Sequence, residues 1–396
     1  MPGMFCVTLS LRGPQAKKRP VEAGTKIAHT ITQKTGDIMR ETYLDGLRGW
    51  AALFVVFGHL GPVFLLVDRT FPPLPFFIDA RLAVFVFFVL SGYVLSIGFF
   101  QTGVRVGVVS LALRRYLRLT IPIAASVLLA VLVARSGLAQ NQAAGEAAGS
   151  PWLALGFSKP LDLLEAAQFA LFNVYSFTPH DGIYYNAVLW TMPFELVGSF
   201  LIFACLLIAG ASRPSQALIV GAFCIAAWWA NSYFLPFALG MAVALSRATV
   251  FRGSLRVVAA ITLGSVLTVS ALRYPGDGIR VLSIFSALIL AACILSPAAR
   301  RFLDLPISQW LGRLSFPLYL THLFSIYTVG SWLYLLLGDG GEVSPMGAIA
   351  VAAASTFTAL VIAAALSPVE TFSVSAGRAF SSFAIRLFTK PMRARV

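Results

Sequence analysis

The residues best placed to do chemistry in this chain are Arg48 and His59, which have ten residues between them. Eleven helical steps of about 100° return to nearly the same direction, so both side chains would lie on one helix face. At a rise of about 1.5 Å per residue, the imidazole would lie about 16 Å farther along the helix axis than the guanidinium. This spacing predicts a cation at the water edge and a titratable group near the middle of a bilayer. The alternative is an arginine that reaches the headgroups, beside a histidine that hydrogen-bonds a neighbouring helix.

A second basic group, Arg114 with Arg115 and Arg118, ends the short loop before the third apolar segment. Arg115 and Arg118 would share one helix face, where their planar guanidinium groups could bind phosphate oxygens in pairs. Taken alone, this cluster is explained more simply as an anchor of membrane topology.

Glu195 lies close to the outer start of another apolar helix, where an unpaired carboxylate is costly. We expect its partner to be His59 or an arginine. A carboxylate beside His59 would hold the tautomer of the imidazole, as in histidine bases that are oriented by an acid. The alternative is a purely structural ion pair.

Other polar and aromatic residues of the same segments are candidates for supporting roles. His322, about two turns into a later helix, is expected to support the site or to pack. Ser91 precedes a glycine, and this pair permits close helix approach. The supporting candidates are Asp45, Arg81, Ser91, Trp190, Ser315, Tyr319 and His322.

The composition excludes a soluble protein. Hydrophobic residues make up 58% of the chain and charged residues 12%, whereas a soluble domain carries about 25% charged residues. The net charge of +14 comes from residues at the ends of apolar segments. This pattern indicates topology and anionic lipid headgroups rather than a nucleic-acid partner. The cysteines lack paired spacing, so neither a disulfide framework nor a metal site is predicted.

The predicted fold class is an all-α, polytopic membrane bundle of about ten helices, with nine or eleven as alternatives. Most of the 30 basic residues lie in segments that would share the cytoplasmic side with the N-terminus, which predicts an N-in and C-in topology. No internal repeat is present. The expected helices are 50–67, 82–100, 117–135, 188–209, 215–230, 233–249, 255–272, 279–297, 315–337 and 346–366.

Three regions are expected along the chain. Residues 1–42 are polar and predict a disordered extension, for which Met39 is an alternative start. Residues 43–370 would form the membrane domain, and 371–396 a basic amphipathic tail on the inner leaflet. Within the domain, the long outer segment 136–187 is either an acceptor-binding or lid element or a helix lying in the interface.

Taken together, these segments resemble the acyltransferase-3 family of multi-pass membrane O-acyltransferases. The resemblance covers about residues 43–325, and its motifs recur in the family's order. They are Leu44-Asp45-Gly46-Leu47-Arg48-Gly49 with His59; Phe87-Phe88 with Ser91-Gly92-Tyr93; Arg114-Arg115 with Arg118 and Pro122; Trp190-Thr191 with Glu195; and Gly312 with Ser315, Tyr319-Leu320 and His322.

The resemblance implies that His59 is the catalytic residue. It also implies that Arg48 and the arginines at 114, 115 and 118 face the phosphates of acyl-coenzyme A (acyl-CoA). Two departures from the family pattern are visible. Phe316 replaces the tyrosine of a Ser-Tyr pair at Ser315, and Ala83-Val84 replaces a Gly-Val after Arg81.

The expected activity is transfer of an acyl group, acetyl by default, from cytoplasmic acyl-CoA to a hydroxyl of a carbohydrate or glycoconjugate acceptor. His59, oriented by Glu195, would act as general base, and a covalent acyl-enzyme is the variant. Membrane lipid, acyl-CoA and the acceptor are the expected partners. The expected location is the cell membrane, taken as a bacterial inner membrane.

A different class of protein, a transporter or flippase of an anionic sugar or CoA-like substrate, is the alternative. It predicts broken helices in two related halves. The other superfamily of membrane-bound O-acyltransferases also uses a buried histidine, but it does not account for the spacing of Arg48 and His59.

Overall fold

The computed structural model describes residues 41–61, 64, 79–177, 182–249, 278–338 and 343–389. Every regular element within these ranges is helical, so the all-α class is confirmed. The predicted helix 255–272, Met39 and almost all of the predicted N-terminal extension lie outside the described residues.

The helices are numbered here in chain order. They are α1 (Thr42–Leu60), α2 (Ala80–Thr102), α3 (Arg105–Ser136), α4 (Asn141–Ala147), α5 (Pro151–Leu155), α6 (Leu163–Leu171), α7 (Gly182–Asn186), α8 (Met192–Ala209), α9 (Arg213–Trp229), α10 (Leu235–Thr249), α11 (Gly278–Leu295), α12 (Pro297–Leu303), α13 (Pro306–Ser325), α14 (Ser331–Gly338) and α15 (Pro345–Thr389). Short 3-10 turns occupy Asn173–Tyr175 and Ala187–Thr191, and a π-helical turn, Ile326–Gly330, joins α13 to α14.

Six helical stretches of the described ranges are long and apolar enough to cross a membrane. The chain is therefore a polytopic helical membrane protein, while the number of ten spans stays a prediction. The stretches are Ala80–Thr102, Arg105–Ser136, Tyr184–Ala209, Gly278–Leu295, Pro306–Gly338 and Pro345–Leu387, and a shorter apolar helix covers Leu235–Arg247. Helix α1 is not one of them: it carries Asp45, Arg48 and His59, and other helices bury much of its surface.

Helix α3 begins at Arg105, about twelve residues before the predicted start. The arginines at 114, 115 and 118 therefore lie within a helix, and the prediction that they end a loop is wrong. The added residues contain no proline and several good helix formers, so the charges alone did not stop the helix.

Helix α15 contains 45 residues and runs past the predicted boundary between membrane domain and tail. Pro368 lies within it without ending it. At about 1.5 Å per residue this helix is about 68 Å long, whereas a bilayer core is about 30 Å thick. Its C-terminal part instead follows the N-terminal part of α3, where Ser110 Oγ donates to Ser381 Oγ at 3.4 Å. The two helices therefore extend together beyond the hydrocarbon core.

Close contact between α1 and α13 depends on two glycines. A Cβ at Gly49 would lie 2.4 Å from the backbone nitrogen of Gly312, and a Cβ at Gly312 would lie 2.5 Å from the carbonyl oxygen of Asp45. Neither position has room for a side chain. The contact holds the helix that carries Arg48 and His59 directly against the helix that carries His322.

Gly49→Ala is expected to push α1 and α13 apart and to lower the free energy of unfolding by about 1–3 kcal/mol. The measurement is the melting temperature of the purified protein in detergent. Gly221→Ala on α9 is the control, because a Cβ there meets nothing within 4 Å. Equal melting temperatures for the two variants would contradict this account of the contact.

Candidate active site

His59 lies at the penultimate position of α1, and the backbone sets its tautomer. Its Nδ1 is 2.8 Å from the carbonyl oxygen of Val55, one turn earlier. Because a carbonyl oxygen only accepts, Nδ1 carries the proton and donates it to this bond. The lone pair of Nε2 is then free, in the form that a general base needs.

His322, on α13, is fully buried beside His59. Its Nδ1 lies 2.9 Å from the carbonyl oxygen of Tyr319 and 3.1 Å from that of Leu318, so this nitrogen also carries the proton. The Nε2 of His322 therefore accepts, and it lies 3.3 Å from Nδ1 of His59. The Nδ1 proton of His59 is shared between a carbonyl and the second imidazole. His322 therefore helps to hold the ring of His59 in place.

Trp152, on α5 of the predicted outer segment, stacks on His59. The ring centroids are 5.2 Å apart and the planes are inclined by 25°. Asn141 holds this part of the segment, because its Nδ2 donates to the carbonyl oxygens of Leu153 and Gly156 at 2.9 and 2.6 Å. Of the two interpretations of the segment, a covering element over His59 fits these contacts better. The aromatic character of the segment could be read from the sequence, but its contact with His59 could not.

Glu195 pairs with an arginine rather than with His59. Arg115 Nη2 donates to its Oε2 at 2.5 Å, and Ser91 Oγ donates to its Oε1 at 3.0 Å. The expectation that Glu195 orients His59 is therefore wrong, and the alternative of an arginine partner is confirmed. The physical reason is charge: a guanidinium is a stronger partner for a buried carboxylate than a neutral imidazole. The pairing joins α2, α3 and α8 at one point.

A cavity of about 90 Å³ lies beside this ion pair. Its charged lining consists of Arg48, Arg115, Arg118, Glu195 and Glu370, with Ser91, Thr191, Tyr319 and apolar side chains completing the wall. The predicted arginines at 48, 115 and 118 are thus brought together by α1 and α3, whereas Arg114 is not part of the lining.

The cavity has unmet hydrogen-bond donors. The Nε of Arg115 is buried without an acceptor, although the same side chain is held by Glu195. With the residues that the structure describes, Arg118 makes no hydrogen bond and no ion pair within 4 Å, although the carboxylate of Glu370 attracts it from farther away. Arg48 has a partner, Asp45, at 3.6 Å. Buried donors without acceptors are rare, so an anionic ligand with several oxygens would complete this lining.

Two residues of the cavity lining, Glu370 and Phe316, differ from what the sequence analysis or the family pattern led us to expect. Glu370, on α15, adds a carboxylate that the sequence analysis missed, because the last span was expected to end at 366. Phe316 occupies the wall where the family pattern has a tyrosine, so no hydroxyl faces the cavity there. Ser315, before it, donates to the carbonyl oxygen of Gly312 within its own helix at 2.9 Å.

The remaining candidates lie around the site rather than in it, except for Tyr319. The Tyr319 hydroxyl, at the cavity wall, is 2.8 Å from Thr191 Oγ1 and donates to the carbonyl oxygen of Val188 at 2.9 Å. Arg81 is at the exposed start of α2, 3.9 Å from Asp79. Trp190 packs edge-on against aromatic neighbours and is 40% exposed.

A second polar cluster, which the sequence analysis missed, holds the start of α1. Arg247, near the end of α10, forms an ion pair with Glu41 and donates to the hydroxyls of Tyr43 and Tyr93 at 2.7 and 3.0 Å. Tyr93 in turn donates to Glu41 at 2.8 Å. In the sequence, Glu41 and Arg247 look like ordinary charges at helix ends.

Comparison with known proteins gives one match. Residues 41–367 match the family model described as an acyltransferase domain, that of the acyltransferase-3 family. No curated protein and no solved structure matches the chain. The match covers most of the 396 residues, including α1, α2, α3, α8 and α13, whereas the part of α15 that carries Glu370 lies beyond it. The chain therefore belongs to the acyltransferase-3 family and is a multi-pass membrane acyltransferase.

Proposed function

We propose that this protein transfers an acyl group, acetyl by default, from cytoplasmic acyl-CoA to a hydroxyl of a carbohydrate or glycoconjugate acceptor. The observation that carries the proposal is the pairing of an arginine-lined cavity with a histidine whose Nε2 lone pair is free. Family membership supports acyl transfer; the donor is inferred from the chemistry of these residues, and the acceptor class from the resemblance to the family.

Acyl-CoA is assigned as the acyl donor because the cavity contains guanidinium N–H groups that have no hydrogen-bond acceptor. Phosphate oxygens accept from guanidinium groups in pairs, and the cavity offers Arg118 and the free Nε of Arg115. Along α1 the cation Arg48 and the imidazole of His59 are about 16 Å apart. An extended pantetheine arm is of comparable length, so phosphates bound near Arg48 would place the thioester near His59.

The reaction needs one base and one orienting contact. Nε2 of His59 takes the proton from the acceptor hydroxyl while the hydroxyl oxygen attacks the carbonyl carbon of the thioester. The carbon–sulfur bond then breaks, and the leaving thiolate takes the proton back from the imidazolium. The carbonyl oxygen of Val55 keeps the proton on Nδ1 and holds the ring through both steps. Glu195 acts on the donor side instead, because it holds the Arg115 guanidinium at the cavity.

The two substrates would reach the site from opposite sides. With the predicted ten spans and both termini in the cytoplasm, Arg48, near the start of α1, would lie towards the cytoplasmic side, and Trp152, which stacks on His59 at the other end of α1, towards the outer side. An acceptor would then approach His59 past Trp152. This arrangement fits a bacterial inner membrane, where the donor is made inside and glycoconjugates are modified outside.

His59→Ala is expected to lower transfer by about 10²- to 10⁴-fold, because the general base is lost. The measurement uses membranes fed with acetyl-CoA labelled in the acetyl group, followed by counting of the saccharide fraction. The control is His180→Ala, a histidine to which no role is assigned. Equal labelling by His59→Ala and the unaltered protein would exclude the base assignment. Uptake of label into sealed vesicles without transfer would favour a transporter.

Arg118→Gln is expected to raise the KM for the acyl donor about tenfold or more while kcat changes less, because a charge-assisted phosphate contact is lost. The comparison is the donor dependence of initial rates for this variant and for Arg213→Gln. Arg213 is a suitable control because it is the first residue of α9 and bonds Gln216, away from the cavity lining. If both variants keep the original KM, Arg118 has no part in donor binding.

Glu195→Gln is expected to destabilise the fold by about 3–5 kcal/mol, because it leaves the Arg115 guanidinium buried without its counter-charge. A double variant, Arg115→Leu with Glu195→Leu, is expected to melt close to the unaltered protein but to bind the donor poorly. Glu165→Gln, exposed on α6, is the control for a lost carboxylate. A single Glu195 variant that melts like this control would show that the ion pair does not stabilise the bundle.

A further inference from the structure

Arg378, a residue to which no role has been assigned, lies beside Arg114 where α15 meets α3. Gly377 packs directly on the backbone of Arg114, since a Cβ added to this glycine would lie 3.0 Å from Arg114 Cβ and 3.3 Å from its carbonyl oxygen. One turn farther along α15, Ser381 bonds Ser110 of α3. These two contacts place Arg378 at the surface of the α3–α15 pair, next to the half-buried Arg114.

The two guanidinium groups form a cationic pair without a carboxylate. They are close enough to repel each other electrostatically. Within the described part of the chain, neither has an acidic partner within 4 Å. Like charges at this spacing cost free energy, and a bound anion would remove that cost. One arginine is held by packing and the other is exposed, so a ligand arriving from water can reach the pair.

The pair continues the row of cations that begins in the cavity. Arg114 precedes Arg118 by four residues on α3, so it lies about 6 Å farther from His59 and on nearly the same helix face. If the pyrophosphate of the donor is bound at Arg115 and Arg118, its ribose would lie about 6 Å farther from His59, at the level of Arg114. The group that the ribose of coenzyme A carries is a phosphate monoester, which suits two guanidinium forks.

We propose that Arg114 and Arg378 bind the 3′-phosphate of the donor's ribose and so make the enzyme select coenzyme A thioesters over their 3′-dephospho analogues. The inference rests on the proposed function, since it assumes acyl-CoA as donor. The same phosphate chemistry is offered by the headgroups of inner-leaflet phospholipids, and the experiment below separates the two sources.

The test compares KM for acetyl-CoA and for acetyl-3′-dephospho-CoA, using the full chain in uncharged detergent. The unaltered protein is expected to show a KM about tenfold lower for acetyl-CoA. Arg378→Gln is expected to bring the two values together by raising only the KM for acetyl-CoA, with kcat unchanged. Arg378→Lys, which keeps the charge, should restore part of the difference.

Arg386→Gln is the matched control, because Arg386 lies two turns farther along the same helix and should leave the ratio of KM values unchanged. A KM ratio of one in the unaltered protein, or an unaltered ratio in Arg378→Gln, would overturn the inference. So would a loss that is equal for both donors and appears only in vesicles containing anionic phospholipid, which would assign the pair to a lipid headgroup. Transfer from neither donor would instead refute the proposed function itself.

Discussion

The cost of burying charge in an apolar bundle governs how this site is built. Arg115 is tolerated among the helices because Glu195 neutralises its charge, and Ser91 donates a hydrogen bond to the other oxygen of that carboxylate. This one ion pair ties together α2, α3 and α8, and it holds a guanidinium against the cavity whose Nε still lacks an acceptor. The protein thus carries part of the desolvation cost of an anion site in its folded state, before any ligand arrives.

In the other half of the site, the proposed base is kept neutral and oriented inside the bundle. His59 is held by the carbonyl oxygen of Val55, by the Nε2 of His322 and by the face of Trp152. None of these partners is charged, so the imidazole gains a defined tautomer without a neighbouring carboxylate that would favour its protonated form. The charged groups line the cavity, whereas His59 is not part of its lining; Tyr319 at the cavity wall has its ring centroid 6.3 Å from that of His322, the neighbour of His59.

The sequence allowed prediction of what depends on local pattern. Helical class, membrane location, family and the shared face of Arg48 and His59 all follow from composition, periodicity and ordered motifs. Partners across the bundle could not be predicted, because Arg115 and Glu195 are 80 residues apart and His59 and His322 are 263 apart. Their meeting depends on which helices pack together. Glu370 was missed for a related reason: the last span was expected to end at 366, whereas α15 packs along α3 and stays helical to Thr389.

Under the proposed function, the glycine contact between α1 and α13 bears on the length of the donor that the site can accept. Arg48 and His59 lie on the same rigid helix, and Gly49 against Gly312 prevents that helix from sliding past the one that carries His322. The distance between the guanidinium of Arg48 and the imidazole of His59 is therefore nearly constant. Under the proposed function, a movement of the outer segment would leave this distance unchanged. If acyl-CoA is the donor, its pantetheine arm would have to match a spacing that is set by a single helix.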